Sequence, residues 1–418
     1  MSQGAFAVEG GDPSSAASPA AARRPRLLIV GSHVVQYSSS AFRRMALDGR
    51  VDLTVAYCSM QGAEPGVDPD FGVKVSWDTS PLDGYSWVAV PNRSPRPGLG
   101  RFFGLINPGL WALIRDGKFD AVFISGYFYA SAWIAIAAAK WRGLPILFTT
   151  EAHSLRSWSA QSKWRLWLKK FYMRRFLSLA KVLLTMSSGS FQQLVALGFP
   201  ENRIVLSPYS VDNDWWAQEA AKVDREAIRA EWRIPAGATV ALFCAKLQPW
   251  KGPADLLEAF ARARVPDSYL VFAGDGILRS SLEQKAADLG IADRVRFLGF
   301  MNQSQLPSVY CASDLLVLPS HYEPFGLVVN EAMICGLPVA VSDRVGARFD
   351  LVRQCENGYV FPAGGVEELA ATLREILPDA EKRTRMGAAA RQRMTTWSPR
   401  EYTDGVVKAV KLAVCGHC

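Results

Sequence analysis

The chain has 418 residues, 49% hydrophobic and 21% charged, with a net charge of +8. That length suits two or three domains at ~150 residues each. Average composition and a mean hydropathy of +0.05 exclude a disordered chain and a multi-span membrane protein. Its 33 glycines and 24 prolines are too few for collagen-like or low-complexity architecture.

Residues 1–25 are mainly Ala, Ser, Gly and Pro, with Arg23, Arg24 and Arg26 at their end. No long apolar stretch precedes a cleavage site, so a disordered tail is expected rather than a signal peptide. Short apolar runs then recur: LLIV near 28–30, then 53–57, 121–125, 145–150, 181–186, 239–244, 269–274, 295–299, 314–320 and 338–343. Runs of this length suit strands buried on both faces of parallel sheets. The segments between them read as helices, for instance 252–263 and 365–376. The alternation predicts an α/β architecture of two doubly wound, Rossmann-like domains. Pro208 and the Asp/Asn cluster of PYSVDNDWW mark the seam. Ligands bind at the carboxyl ends of strands in such sheets, so two facing domains make a cleft there. The run from Tyr127 to Ala139 is too short to span a bilayer, which needs ~20 apolar residues.

The cysteines are seven: Cys58, Cys244, Cys311, Cys335, Cys355, Cys415 and Cys418. Scattered and odd in number, they read as reduced buried thiols rather than a disulfide framework. The closing Cys-Gly-His-Cys has at most three ligands and no following helix, and reads as a tail.

The sharpest segment is SHYEPFGLVVNEAMICGLPVAVSD, Ser320 to Asp343. Glu323 follows an apolar strand, and Pro324, Phe325 and Gly326 open a helical stretch that contains Glu331. Free amides at Phe325, Gly326 and Leu327 would form an anion site at a helix start. Carboxylates suit sugar hydroxyls better than phosphates. The local chemistry is therefore a diphosphate with a sugar on each side, against the alternative of a capping Glu and an exposed helical Glu. Lys246 and Lys251, in AKLQPWKG, stand at a strand end and a helix start, where a phosphate binds. Gly274, in Gly-Asp-Gly after a strand, permits close backbone approach, or simply an ordinary turn.

In this order, these segments resemble glycosyltransferase family 4, the retaining group 1 glycosyl transferases with the glycosyltransferase-B fold. Glu323-Pro-Phe-Gly-Leu-Val-Val-Asn-Glu331 is similar to that family's E-x7-E motif, and AKLQPWKG occupies the place of its phosphate-binding loop. The resemblance implies an acceptor-side domain over 26–210 and a nucleotide-sugar domain over 211–396. A C-terminal helix and tail, 397–418, would cross back to the first domain. It implies that Glu331 holds the ribose, and that Glu323 with the Phe325–Leu327 amides holds the donor sugar and diphosphate. Lys246 and Lys251 would neutralise the leaving diphosphate, Arg296 would lie at the base edge, and His153 near the reacting sugar. It implies a UDP- or GDP-sugar donor, a glycan or lipid-linked acceptor, and no metal, cofactor or nucleic-acid partner. The expected place is the cytoplasm, in envelope glycan, polysaccharide or glycolipid synthesis.

Three departures bear on the acceptor. Lys246 replaces an Arg, Tyr209-Ser210 replaces Asn-Gly, and the first loop, Gly31 to Tyr37, lacks the usual glycine pair. The most individual feature is Ala152 to Pro200, which has eight basic residues and no Asp or Glu. Within it Trp164, Trp167, Leu168 and Phe171 make a helical stripe. Segment 162–177 would lie on an anionic membrane surface if that stripe faces out, and is a plain domain helix if it faces the core. A non-catalytic nucleotide-sugar-binding module is the alternative function. A dinucleotide oxidoreductase is disfavoured, because no Gly-x-Gly-x-x-Gly follows the first strand.

Overall fold

A computed structural model describes residues 23–63, 66–67, 74–75, 78, 80–126, 128–151, 153 and 163–416. The expected N-terminal tail up to residue 22, Ser162 of the basic segment and the last two residues of Cys-Gly-His-Cys lie outside the described residues.

The strands are β1 (Arg26–Gly31), β2 (Asp52–Tyr57), β3 (Gly66–Val67), β4 (Lys74–Val75), β5 (Ser86–Ala89), β6 (Ala121–Ile124), β7 (Ile146–Thr150), β8 (Val182–Thr185) and β9 (Ile204–Leu206). They continue as β10 (Thr239–Cys244), β11 (Ser268–Ala273), β12 (Val295–Gly299), β13 (Leu315–Leu318), β14 (Val339–Ser342) and β15 (Gly358–Phe361). Seven form one parallel sheet in the order β5-β2-β1-β6-β7-β8-β9. Six form a second parallel sheet in the order β12-β11-β10-β13-β14-β15. Only β3 and β4 pair antiparallel, as a small separate hairpin. The two facing parallel-sheet domains are the glycosyltransferase-B fold.

The ten apolar runs all became strands, with ends within two residues. The strands that escape the apolar-run pattern are β5, β9 and β15, apart from the hairpin. Each lies at a sheet edge. An edge strand is covered on fewer sides, so it needs no continuous apolar run; β5 has no fully buried residue.

Each sheet is covered on both faces. Leu27, Ile29, Leu53 and Val55 pack on one face of the first sheet, Leu28, Val30, Val122 and Phe148 on the other. The C-terminal helix, Pro399–Cys415, belongs to the first face: Val406, Ala409 and Val410 are buried there. Gly405 lets that helix touch the sheet edge, since a Cβ would sit 2.4 Å from the Leu206 carbonyl oxygen. Ser207 Oγ ties it further by donating to the Tyr402 carbonyl, 2.9 Å.

The basic helix, Lys163–Leu177, is apolar on two sides. Met173, Phe176 and Leu177 are buried in the first domain. Trp164, Trp167, Leu168, Phe171 and Tyr172 are exposed, the two tryptophans by 63% and 66%. The core-facing alternative for that stripe is thereby excluded, for the core contacts come from the opposite side of the helix. Among the described cysteines none is paired, and Cys58, Cys244 and Cys335 are buried as expected. Cys355 is exposed, contrary to the expectation of buried thiols, and Cys415, in the segment read as a tail, is exposed too.

Candidate active site

The carboxyl ends of the two sheets meet across a cleft. From the second domain, the chain leaves β13 and makes a tight turn through Glu323 to Gly326. Gly326 has φ +97°, a left-handed conformation that a side chain would strain. The turn is clamped from the segment after β14: the Glu323 amide donates to the Arg344 carbonyl, 3.2 Å, and the Ala347 amide to the Phe325 carbonyl, 2.8 Å. Phe325 is buried, stacked on Trp397 with ring centroids 6.3 Å apart. Leu327 then begins the short helix Val328–Ile334. Amides at such a start have no intrahelical partner, so those of Phe325, Gly326 and Leu327 stand where an anion would be bound.

Lys251 closes the turn after β10 and donates to the Glu323 carboxylate as an ion pair. These two candidates, 72 residues apart, are brought into direct contact. Lys246 is half-buried in the same loop. Glu331, on the short helix, accepts a hydrogen bond from the buried Tyr310 hydroxyl, 2.6 Å. Burial pushes its carboxyl up to about 7, with the Tyr310 bond acting against that.

His153 comes from the other domain, just past β7. Its Nε2 donates to the Glu323 carbonyl, 3.1 Å, and the Arg344 carbonyl, 3.2 Å. Two carbonyl acceptors put the proton on Nε2. Burial holds the imidazole below its ordinary range, and the charges of Arg348 and Arg344 act the same way. The ring is therefore a neutral donor that spans the cleft. Arg344 and Arg348 are cations beside the site that the motif reading missed; they sit on the loop after β14, beyond the E-x7-E segment.

Two candidates go elsewhere. The Arg296 guanidinium donates to the carbonyls of Trp232 (2.7 Å), Arg233 (3.0 Å) and Asp293 (2.7 Å) and lies 5.2 Å from the Tyr269 ring centroid. It tethers the chain beside β12, so its side chain is committed to the fold rather than to a ligand. Gly274 has φ +139°, and a Cβ there would fall 2.0 Å from the Ala245 carbonyl oxygen. Its bare face is filled by the neighbouring loop, an ordinary packing role that holds the Lys246 loop in place.

On the first-domain side lies a cavity of about 450 Å³. Gly31, Tyr57, Thr150 and Met186, at or just beyond the strand ends, line it, and Tyr322 and Pro324 of the second domain close it. Glu151 faces it, and the Tyr209 hydroxyl donates to the Glu151 carboxylate. The Tyr37 ring meets Tyr209 edge-on at 5.6 Å. Lys169 and Met173 of the basic helix form part of the wall. The motif reading missed Glu151; Tyr37 and Tyr209 carried a signal as departures from the family pattern.

Comparison with known proteins agrees with this fold. The 4-like glycosyl transferase domain model matches residues 34–210, and the model described as glycosyl transferases group 1 matches 224–393. The chain is 34% identical over 203 residues to the D-inositol 3-phosphate glycosyltransferase of Rhodococcus jostii, covering 46% of this chain and 45% of that one. It is 35% identical over 227 residues to the protein of the same name from Geodermatophilus obscurus, covering 52% and 49%. The chain thus spans about half the length of the relatives it matches. A glycosyltransferase structure from Rickettsia africae aligns over 93% of this chain and 98% of its own, with TM-score 0.72 and 17% identity. HepE of Anabaena, solved with UDP and glucose, aligns over 93% and 99%, with TM-score 0.68 and 19% identity. Those two structures share the fold. The two matched segments between them run through both sheets, and the chain belongs to the group 1 glycosyl transferases.

Proposed function

We propose that this chain transfers a sugar from a nucleoside-diphosphate sugar to an acceptor hydroxyl, with retention of configuration. The observation that carries the reading is the Lys251–Glu323 ion pair beneath the His153 bridge. It puts a cation, a carboxylate and a neutral donor at one point of the cleft. In this reading the ribose hydroxyls donate to Glu331, and the diphosphate takes the amides of Phe325 to Leu327 together with Lys246 and Lys251. As the sugar–phosphate bond breaks, negative charge grows on the diphosphate. Fixed cations and amides stabilise that charge without reorganising. Glu323 then accepts hydroxyls of the sugar being moved.

UDP-sugars are the first donors to test, since HepE was solved with UDP and glucose. Titration calorimetry with UDP and GDP, followed by release of sugar from each sugar nucleotide, tests the reading. Saturable nucleotide binding with sugar transfer supports it. Nucleotide binding without turnover on any acceptor extract favours the non-catalytic binding module instead.

A second observation concerns the setting. Among the described residues no helix is long and apolar enough to cross a membrane. The basic helix nevertheless presents its aromatic stripe outward, flanked by Lys170, Arg174 and Arg175, all exposed. Aromatic residues at the headgroup level with basic residues beside them suit an anionic lipid surface. In this reading the enzyme works peripherally on a membrane, with envelope glycan or glycolipid synthesis as its role.

A further inference from the structure

Two residues at departures from the family pattern, Tyr37 in the first turn of the helix Gln36–Asp48 and Tyr209 in the linker, are 172 residues apart in the chain but meet in the cavity of the first domain. Their rings pack edge to face at 5.6 Å. Tyr209 is held firmly from behind: its carbonyl accepts from Trp397 Nε1, 2.7 Å, and from Asn330 Nδ2, 3.1 Å. Its ring also meets Phe325 edge-on at 5.5 Å. The phenol is thereby aimed at Glu151, to which it donates. Glu151 stands two residues before His153, so the cluster borders the reacting centre.

The charges of the cavity decide what it can hold. Among its described lining residues the only carboxylate is Glu151 and the only ammonium or guanidinium is Lys169, on the basic helix. His33, also on the wall, is kept neutral by burial. A phosphate group needs several cationic or amide donors to replace its water. Here it would meet a single ammonium, Lys169, and the Glu151 carboxyl, which burial pushes up and the Tyr209 bond pulls back. A carboxylate beside aromatic faces suits the opposite ligand: hydroxyls donate to the oxygens, and C–H faces of a ring lie against the phenols. A carboxylate accepts up to about four hydrogen bonds, so the Tyr209 bond leaves capacity on Glu151. The volume of about 450 Å³ is that of a small-molecule site.

We propose that the acceptor enters this cavity as an uncharged polyhydroxy ring, a sugar or cyclitol without phosphate, whose hydroxyls are bound by Glu151 within the Tyr37–Tyr209 frame. This deepens the functional reading above and rests on it for the word acceptor. It separates the chain from relatives whose name specifies a phosphorylated acceptor. The ring is the part of the acceptor inside the cavity, whatever is attached beyond its mouth.

The experiment is a set of paired titrations on the full chain, with and without saturating UDP. The probes are myo-inositol and glucose, each against its monophosphate ester. The wild-type protein should bind at least one neutral ring and bind its ester at least tenfold more weakly. Glu151→Gln should weaken the neutral ring by ~10-fold, the loss of a carboxyl hydrogen bond, and narrow the gap to the ester. Tyr209→Phe keeps the packing of that residue and removes only the hydroxyl that orients Glu151, so it should weaken the neutral ring by ~3–10-fold. Tighter binding of an ester than of its neutral ring, or no neutral ring bound at all, overturns the proposal. So does an equal loss for ring and ester in Glu151→Gln. Failure of UDP to bind overturns the donor reading instead, and the ring-against-ester preference is read separately from it.

Discussion

His153 Nε2 lies 3.1 Å from the carbonyl oxygen of Glu323, so the residue that carries the second domain's carboxylate is also hydrogen-bonded by the first domain. One imidazole thus sets the position of the turn that holds Glu323 relative to the acceptor-side cavity. Removing it should matter for turnover more than for nucleotide binding, because the residues assigned to the nucleotide lie in the second domain. His153→Ala is expected to lower kcat by ~10–100-fold and to move UDP affinity by less than ~3-fold. Steady-state kinetics with calorimetry on the same preparation checks the split.

Glu331 carries a pH signature. Its folded-state carboxyl sits near 7, above the ordinary 4.5 of a glutamate. The folded protein therefore binds the proton more tightly than the unfolded chain. Stability contributed by this group is highest when it is protonated and falls as pH rises from about 4.5 to about 7. Glu331→Gln should remove that loss and raise Tm at pH 8, by an amount equivalent to ~1–3 kcal/mol. The gain should vanish near pH 4. The same variant should bind UDP ~10-fold or more weakly, as a ribose acceptor is lost. Wild-type UDP affinity should itself drop as pH falls through 7.

Lys251 and Lys246 should separate by their effects. Lys251→Ala leaves Glu323 without its ion pair and removes one of the two cations assigned to the diphosphate in the transition state. Turnover should fall ~100-fold or more, with a smaller change in donor affinity. A rise in donor KM with kcat unchanged would make Lys251 a plain binding residue. Lys246→Arg restores the residue usual at that place in the family and should retain activity.

Arg296 is expected to be structural. Arg296→Ala removes the donors to the carbonyls of Trp232, Arg233 and Asp293. A loss of ~1–3 kcal/mol of stability should follow, with UDP affinity held within twofold. Denaturant melts and calorimetry test this, and a large loss of UDP affinity at unchanged stability would return Arg296 to the base edge.

The basic helix is tested with vesicles. Its charges should be attracted to anionic headgroups at ~1 kcal/mol per Lys or Arg near the surface, an attraction that salt screens. The protein should float with anionic vesicles at low salt and stay behind at high salt. Replacing Lys170, Arg174 and Arg175 by Gln should abolish flotation. Equal partition to neutral and anionic vesicles would leave the exposed Trp164 and Trp167 without this explanation.

Much of this molecule was legible in its residues alone. Continuous apolar runs suit burial on both faces, so they marked every inner strand of both sheets and the edge strand β12, and the E-x7-E spacing with the lysine loop named the donor side. Those signals are local: period, run length and a motif within nine residues. Three of the four edge strands, β5, β9 and β15, escaped because an edge is half-covered and needs no such run. The Arg296 guanidinium binds the carbonyls of Trp232, Arg233 and Asp293, which sequence position could not say, because it does not tell where a long side chain turns. The Lys251–Glu323 pair was two separate candidates until the fold joined them. The side of the Trp164 stripe was undecided because the helix is apolar on two faces, and only its packing against the first sheet chose between them. Tyr37, Glu151 and Tyr209 come from three separate stretches, and no period or spacing links them. Only the convergence of β1, β7 and the linker at one end of the first sheet makes them a site.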